Sequence, residues 1–216
     1  MRNFNDYLSD VFMKVFIGLL ITAIVAFGVF KFGLYENTTL IYGSLILELI
    51  CVLVFSFTFR KLPKSVVYIL YLFYCALTGV AFSIYPLLYD GGSIILALAV
   101  TTFLFLGLAA YGHFTKRDLS RLSPYLFFGL IGIIISSIIN IFLNNPMMDL
   151  ILSWVTIIIF IGYTAFDTQK LRDYYEWEKD GNDQNLSIYG ALQLYLDYIN
   201  LFIEILKIFG RSKDDD

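Results

Sequence analysis

Seven long apolar runs follow one another along this chain of 216 residues, and they constrain its fold more than any other feature. Each run is about 20 residues long, which is the length an α-helix needs to cross a bilayer, and none shows the short alternating pattern of a membrane β-barrel. The runs begin near Val11, Thr39, Val66, Ser93, Leu122, Met147 and Ser187. The sequence therefore predicts an all-α integral membrane protein, with seven transmembrane helices in a single domain over residues 1–216.

Composition and the first run agree with this interpretation. Hydrophobic residues make up 59% of the chain and charged residues 15%, whereas an ordinary soluble domain has roughly 25% charged residues. The first run, over residues 11–32, is too long for a signal-peptide core and has no small-residue cleavage site after it. We expect it to stay in the protein as a spanning helix.

The inventory of reactive residues argues against several functions. Cys51 and Cys75 lie in separate runs without the spacing of a metal site, and the one histidine, His113, lies between two runs. Serine-triad and zinc chemistry therefore lack their residues. The net charge is -3, and basic residues do not cluster with aromatic ones, so we expect no nucleic-acid partner.

The positions of Lys and Arg predict the orientation of the helices. Most breaks between runs are short, apart from a longer one at residues 170–185, so neighbouring helices should be antiparallel. With seven spans, eleven Lys and Arg residues fall on one side of the membrane, namely Arg2, Lys14, Arg60, Lys61, Lys64, Lys116, Arg117, Arg121, Lys170, Arg172 and Lys179. Four fall on the other side, namely Lys31, Lys207, Arg211 and Lys213. The N-terminus is thus predicted in the cytoplasm and the C-terminus outside. If the last run re-entered instead of spanning, both termini would be cytoplasmic.

The last run carries a stripe of polar residues. Gln193, Asp197, Asn200, Glu204 and Lys207 follow one another at steps of 4, 3, 4 and 3, so they share one face of a helix. A charge at bilayer depth costs at least about 2.5 kcal/mol, so this face should contact protein or water and not lipid. The last helix is therefore predicted to be central and wrapped by the other six.

Four ionisable residues, Glu48, Arg60, Asp167 and Asp197, lie within or at the ends of apolar runs. Glu48 is either a functional carboxylate or a protonated group bonded to a neighbouring helix. Asp167 ends the sixth run, and Asp197 lies about 15 Å into the seventh, so the two share a depth if the sixth helix ends below the surface. Arg60 either reaches the same space or caps the second helix as a snorkelling side chain.

Three stretches carry a resemblance to a known family. Residues 192–202 (LQLYLDYINLF) resemble the signature of the Bax inhibitor family, and of its bacterial YetJ-type members in particular. Phe166-Asp167-Thr168-Gln169 is similar to that family's Tyr-Asp-Thr-Gln motif, with Phe in place of the usual Tyr. Leu77-Thr78-Gly79 followed by Pro86 resembles its third-helix pattern.

The resemblance implies a pH-sensitive calcium leak channel in a bacterial plasma membrane. It also implies that Asp167 and Asp197 form a paired-carboxylate pH sensor and that Arg60 is a latch that binds one of them in the closed state. Two carboxylates in a desolvated site should share a proton and titrate as a pair. Because Phe166 has no hydroxyl, any contact that the usual Tyr makes is not expected here.

Calcium is expected as the permeant ion and not as a resident cofactor. Asp167, Asp197 and Asn200 offer oxygen ligands, which calcium accepts in flexible geometry, and weak binding suits an ion that must leave as well as enter. Glu48 and Glu204 could continue the ion path, although Glu204 is equally placed to pair with Lys207 one turn on.

Other classes of function stay open. An intramembrane aspartyl protease also pairs aspartates on two helices, but residues 194–196, before Asp197, contain no glycine for backbone approach to a substrate, so we do not expect an enzyme. A proton-coupled transporter would show counterflow driven by a pH gradient. A non-conducting regulator that binds other membrane proteins would show no ion flux.

Overall fold

A computed structural model describes residues 3–181 and 185–211, and these residues are organised as long helices. The helices are α1 (Phe4–Lys31), α2 (Thr38–Thr58), α3 (Lys64–Phe82), the one-turn α4 (Tyr85–Leu88), α5 (Gly91–Phe114), α6 (Ser123–Leu143), α7 (Pro146–Lys179) and α8 (Leu186–Phe209). The seven long helices confirm the all-α fold and match the predicted number. Residues 1–2 and 212–216, which include both termini, lie outside the described part of the chain.

Six of the seven long helices are apolar enough to cross a membrane by length and composition. The seventh, α8, falls short because the polar stripe at Gln193, Asp197, Asn200 and Glu204 lowers its mean hydropathy. Every residue from 186 to 206 is nevertheless buried or half-buried, whereas in α6 only Leu126 and Asn140 are buried. Protein thus encloses most of α8, as its stripe predicted, while α6 presents apolar side chains outward.

The predicted start of the first helix is wrong. The helix begins at Phe4 and not near Val11, because Asn3 and Asp6 form a capping box. The Asn3 Oδ1 atom accepts from the Asp6 amide at 2.8 Å, and the Asp6 carboxylate accepts from the Asn3 amide at 3.3 Å. The polar residues before the apolar run therefore belong to the same helix.

The predicted break at residues 170–185 is also wrong, and so is the placement of Asp167 at a helix end. Helix α7 continues to Lys179, because residues 170–179 contain no Gly or Pro and its extension packs on other residues. Leu171 is fully buried, and the Tyr175 ring lies 5.5 Å from Phe4 and 5.6 Å from Tyr7, centroid to centroid. The chain turns only at Gly181, whose φ of +76° suits glycine. Asp167 therefore lies inside a helix.

The chain divides into two compact units, of which the first comprises residues 1–88 and 171–195. In it, the Thr22 hydroxyl of α1 lies 2.9 Å from the Cys75 carbonyl oxygen of α3 and 2.6 Å from the Tyr195 hydroxyl of α8. The Tyr71 hydroxyl of α3 donates to the Lys14 carbonyl of α1 at 2.8 Å. Buried hydroxyl groups thus join three helices that are otherwise packed by apolar side chains.

The second unit comprises residues 89–170 and 196–216. Helices α5 and α7 approach closely at Gly112, where an added Cβ would lie 2.2 Å from the Ala165 carbonyl oxygen. The Tyr198 hydroxyl of α8 lies 2.8 Å from the Thr102 hydroxyl of α5. Helix α5 begins after Asp90, which caps it by accepting from the Ser93 hydroxyl at 2.6 Å and the Ser93 amide at 3.0 Å. These bonds, of which that from the Ser93 hydroxyl has the larger effect, hold the pKa of the half-buried Asp90 carboxyl below its usual range.

Candidate functional site

Two buried aspartates in the second unit, Asp167 of α7 and Asp197 of α8, form what we call the acidic pair. Their exposed fractions are 4% and 3%. The Asp167 carboxylate acts electrostatically on that of Asp197, and the half-buried Tyr163, one turn before Asp167, lies within electrostatic range of both. The structure therefore places close together two carboxylates that are separated by 30 positions in the sequence.

The surroundings of Asp197 leave one carboxylate oxygen unsatisfied. Among the described residues, its buried Oδ2 atom has no hydrogen-bond partner. Its neighbours in the helix, Leu194 and Leu201, are fully buried apolar side chains. Burial of a polar oxygen without a partner is costly, and natural proteins normally satisfy such atoms with a proton, water or an ion. The site is thus suited to taking up one of these.

A cation lies next to the other member of the pair. Lys170 follows Asp167 by one helical turn and acts on it electrostatically, and the Lys170 ammonium lies 5.3 Å from the centre of the Phe166 ring. Sequence reasoning missed this neighbour because it ended the helix at Asp167. The three-residue spacing between Asp167 and Lys170 would have predicted this neighbour if the helix had been extended.

The side chain of Gln169 fixes α7 beside the acidic pair. Its amide nitrogen donates to the Arg117 carbonyl at 2.8 Å, and its amide oxygen accepts from the Leu119 amide at 2.9 Å. Leu119 belongs to a buried cluster with Leu126, Ala165 and Phe166, so Phe in place of the usual Tyr meets apolar surroundings. The segment between α5 and α6 is therefore bonded to α7 two residues after Asp167.

Glu48 lies in the first unit, where it is bonded to a neighbouring helix. The Thr78 hydroxyl of α3 donates to the Glu48 Oε1 atom of α2 at 2.5 Å. The bond to a neighbouring helix that the second alternative for Glu48 required is present, and the choice between a functional carboxylate and a protonated group stays a prediction. Its predicted place on an ion path stays a prediction.

We expect Thr78→Val to destabilise the protein by about 1–3 kcal/mol, since it removes the hydroxyl that donates to the half-buried Glu48 carboxyl group while keeping the shape of the side chain. Thermal unfolding of the detergent-solubilised protein would measure the loss. Thr58→Val is the matched control, because the Thr58 hydroxyl donates only within α2, to the Val54 carbonyl, at its half-exposed end. Equal losses in the two variants would contradict the assigned bond.

Two further residues of the α8 stripe, Glu204 and Asn200, bond within their own helix, whereas the Gln193 side-chain oxygen accepts from the Tyr174 hydroxyl of α7 at 2.9 Å. The Glu204 Oε1 atom lies 2.9 Å from the Lys207 ammonium, which is the ion pair given as its alternative, while its Oε2 atom is buried without a partner in the described chain. The Asn200 amide donates to the Leu196 carbonyl at 2.8 Å. Over the described ranges, no three or more His, Cys, Asp or Glu side chains converge as a metal site. A calcium ion at the acidic pair would thus need carbonyl groups and water as further ligands.

Arg60 lies in the first unit, in the turn after α2. Its guanidinium is 5.5 Å from the centre of the Phe59 ring and 5.8 Å from that of Trp177 on the extension of α7. Both distances fit cation–π contacts. The predicted role of Arg60 as a latch stays a prediction.

Among the residues that the structure describes, six helices of membrane length, a seventh that is polar and mostly buried, and a buried acidic pair define a polytopic α-helical membrane protein. Comparison with known proteins identifies the family within this class. The family model described as "Inhibitor of apoptosis-promoting Bax1" matches residues 4–214. The chain therefore belongs to the Bax inhibitor family.

Individual relatives match over nearly their whole length. The inner membrane protein YbhL of Escherichia coli (strain K12) is 37% identical over 97% of this chain and 93% of its own. A protein of Borreliella burgdorferi is 32% identical over 98% of this chain and 94% of its own. A membrane protein of Streptococcus pyogenes serotype M3 is 32% identical over 96% and 93%. The resemblance seen in the motifs therefore extends along the whole chain.

Proposed function

We propose that this membrane protein is a pH-sensitive calcium leak channel in which Asp167 and Asp197 are the proton sensor. The observation that carries the proposal is the burial of both carboxylates in one unit, within electrostatic range of each other, with an unsatisfied oxygen on Asp197. Ionising both groups at once is energetically unfavourable, because they are buried and repel each other. The number of protons they hold should therefore depend on pH and on conformation. Membership of the Bax inhibitor family supports the same assignment.

The proposed gate couples that proton to a cation. When the aspartates share a proton they bind each other, and their attraction for Arg60 is weak. When both are ionised they repel, and one is available to pair with Arg60 as the latch of the closed state. Low pH should therefore weaken the latch. The charge of Arg60 and the family pattern support this step.

The proposal extends to orientation and to the route of the ion. We place the protein in the bacterial plasma membrane with the N-terminus in the cytoplasm and the C-terminus outside, because Lys and Arg concentrate on one side of the predicted spans. Calcium would pass by the acidic pair and Asn200, with Glu48 and Glu204 further along its path. Each of these offers oxygen atoms only, in too small a number for tight binding.

Calcium flux into liposomes containing the purified protein, measured across a pH series, tests the proposal. We expect flux above that of protein-free liposomes, and we expect it to change with pH. Uptake that requires an imposed pH gradient and shows counterflow would assign a proton-coupled transporter instead. Absence of flux at every pH would assign a non-conducting regulator that acts by binding other membrane proteins.

A further inference from the structure

Asn185 immediately precedes α8, where an asparagine ordinarily caps the helix. A capping side chain accepts a hydrogen bond from the second or third amide of the helix through its oxygen. In this structure the amide of Ser187 instead donates to the Glu178 Oε2 atom of α7, at 3.2 Å. Glu178 thus acts as the cap of α8, and the Asn185 side chain binds elsewhere.

The side-chain amide of Asn185 donates to two backbone carbonyls of the turn between α2 and α3. It lies 2.6 Å from the Phe59 carbonyl oxygen and 2.9 Å from the Leu62 carbonyl oxygen. Carbonyls at the end of a helix have no partner within it, so the bond to Phe59, which directly follows α2, satisfies such a group. The bond to Leu62 satisfies a carbonyl of the loop before α3. Asn185 is 4% exposed, which places the bonds in a protected setting where they count most.

In the sequence, Arg60 lies between Phe59 and Leu62, whose carbonyls Asn185 binds. We call residues 59–62 the Arg60 turn. Tyr189, one turn into α8, adds a second contact to it by stacking on Phe59 with ring centres 4.5 Å apart. An amide that holds both ends of a four-residue turn restricts the backbone from which the Arg60 side chain extends. The guanidinium then keeps its position over Phe59 and Trp177.

We propose that Asn185 is a positioning residue for Arg60, acting by binding the carbonyls of Phe59 and Leu62. The inference deepens the proposed function, on which it rests, since Arg60 is there the latch. Among the described residues, charged groups near this end of the unit include Lys61, Lys64 and Glu178, and the Lys64 ammonium pairs with Glu178 at 3.4 Å. Glu176 and Lys179, on either side of Glu178, pair with each other at 3.6 Å. The pair of Lys64 and Glu178 anchors the cap of α8, and Asn185 anchors the Arg60 turn.

The variant Asn185→Leu tests the inference, because it keeps the approximate size of the side chain and removes both donors. Asn185→Ser introduces a residue that is also favoured before a helix but has no side-chain amide group. This variant tests the inference if Asn185→Leu fails to fold. Asn37→Leu is the matched control. Asn37 caps α2 by accepting from the Leu40 amide at 3.1 Å, so its loss weakens a helix end without removing a bond to the Arg60 turn.

Two measurements keep this inference distinct from the proposed function. The first is the emission of Trp177 in a Trp154→Phe background, which leaves one tryptophan as a reporter next to Arg60. The second is the ratio of calcium flux between the two ends of the pH series. Arg60→Ala provides the reference for both. We expect Asn185→Leu to shift the emission in the same direction as Arg60→Ala, and to reduce the flux ratio by about fivefold or more, since two hydrogen bonds are lost.

The outcomes separate as follows. Native emission and a native flux ratio in the Asn185 variants would overturn the inference. The inference would also be overturned if the Asn185 variants change the Trp177 emission but keep the native flux ratio, while Arg60→Ala alters that ratio. Equal changes in Asn37→Leu would show a general loss of stability and would overturn it too. If the native protein conducts no calcium, the proposed function fails, and the emission alone decides whether Asn185 positions Arg60.

Discussion

Asp197→Asn should abolish most of the pH dependence of calcium flux through the reconstituted protein. The substitution keeps the size and polarity of the side chain but leaves one titratable group where the structure has two that interact. A difference of about 2.7 kcal/mol in proton binding between two conformations changes their ratio about a hundredfold. We expect the native protein to approach that range across the pH series and the variant to show a nearly flat profile.

Asp167→Asn should flatten the profile to the same extent, and the double variant should lose little more, since the carboxylates act as a pair. Asp149→Asn is the control: it makes the same chemical change elsewhere in α7, where Asp149 accepts from the Asn140 amide at 2.6 Å. A native pH response in Asp197→Asn would remove the acidic pair from the gate. A flat response in Asp149→Asn would show that the assay reports general damage.

Gly112→Ala should be among the most destabilising single-methyl additions in the second unit. Its Cβ would lie 2.2 Å from the Ala165 carbonyl oxygen, and a backbone atom cannot rotate away as a side chain would. Overpacking of this kind typically costs about 1–3 kcal/mol, and we expect the upper part of that range. Because Ala165 is two residues before Asp167, the displaced backbone should also alter the pH response.

Gly107→Ala is a precise control for this change, because Gly107 lies in the same helix and an added Cβ there meets no atom within 4 Å. Alanine forms helices better than glycine, so this variant should be as stable as the native protein or slightly more so. Thermal unfolding in detergent, followed by circular dichroism, would compare the two. Similar stability of both variants would mean that α5 and α7 do not meet closely at Gly112.

Features that depend on local pattern were correctly predicted from the sequence. The length and hydropathy of the apolar runs predicted the all-α membrane fold, and Gly, Pro and charged residues between runs placed most helix starts within a few residues of their observed positions. The spacing of Gln193, Asp197, Asn200 and Glu204 predicted that α8 lies within protein. The positions of Asp167 and Asp197 within or at the ends of apolar runs identified both as unusual, since charged residues are rare in membrane helices.

Features that depend on contacts between distant segments were missed or wrong. The extension of α7 to Lys179 depends on the packing of Tyr175 against the start of α1, and without it Lys170 could not be placed one turn after Asp167. The short break between α2 and α3 predicted that they lie side by side, but which residue of α3 is bonded to Glu48 was decided only by their packing.

Asn185 shows most clearly what the sequence alone determined and what only the tertiary structure decided. Its place before an apolar run predicts a helix start, and a helix does start there. Whether its side chain caps that helix or binds the Arg60 turn depends on which backbone groups lie close to it. The two carbonyls within 3 Å of its amide belong to residues more than 120 positions away in the chain. Periodicity and composition are local properties and determine helices, whereas the partners of buried polar groups are set by how those helices pack.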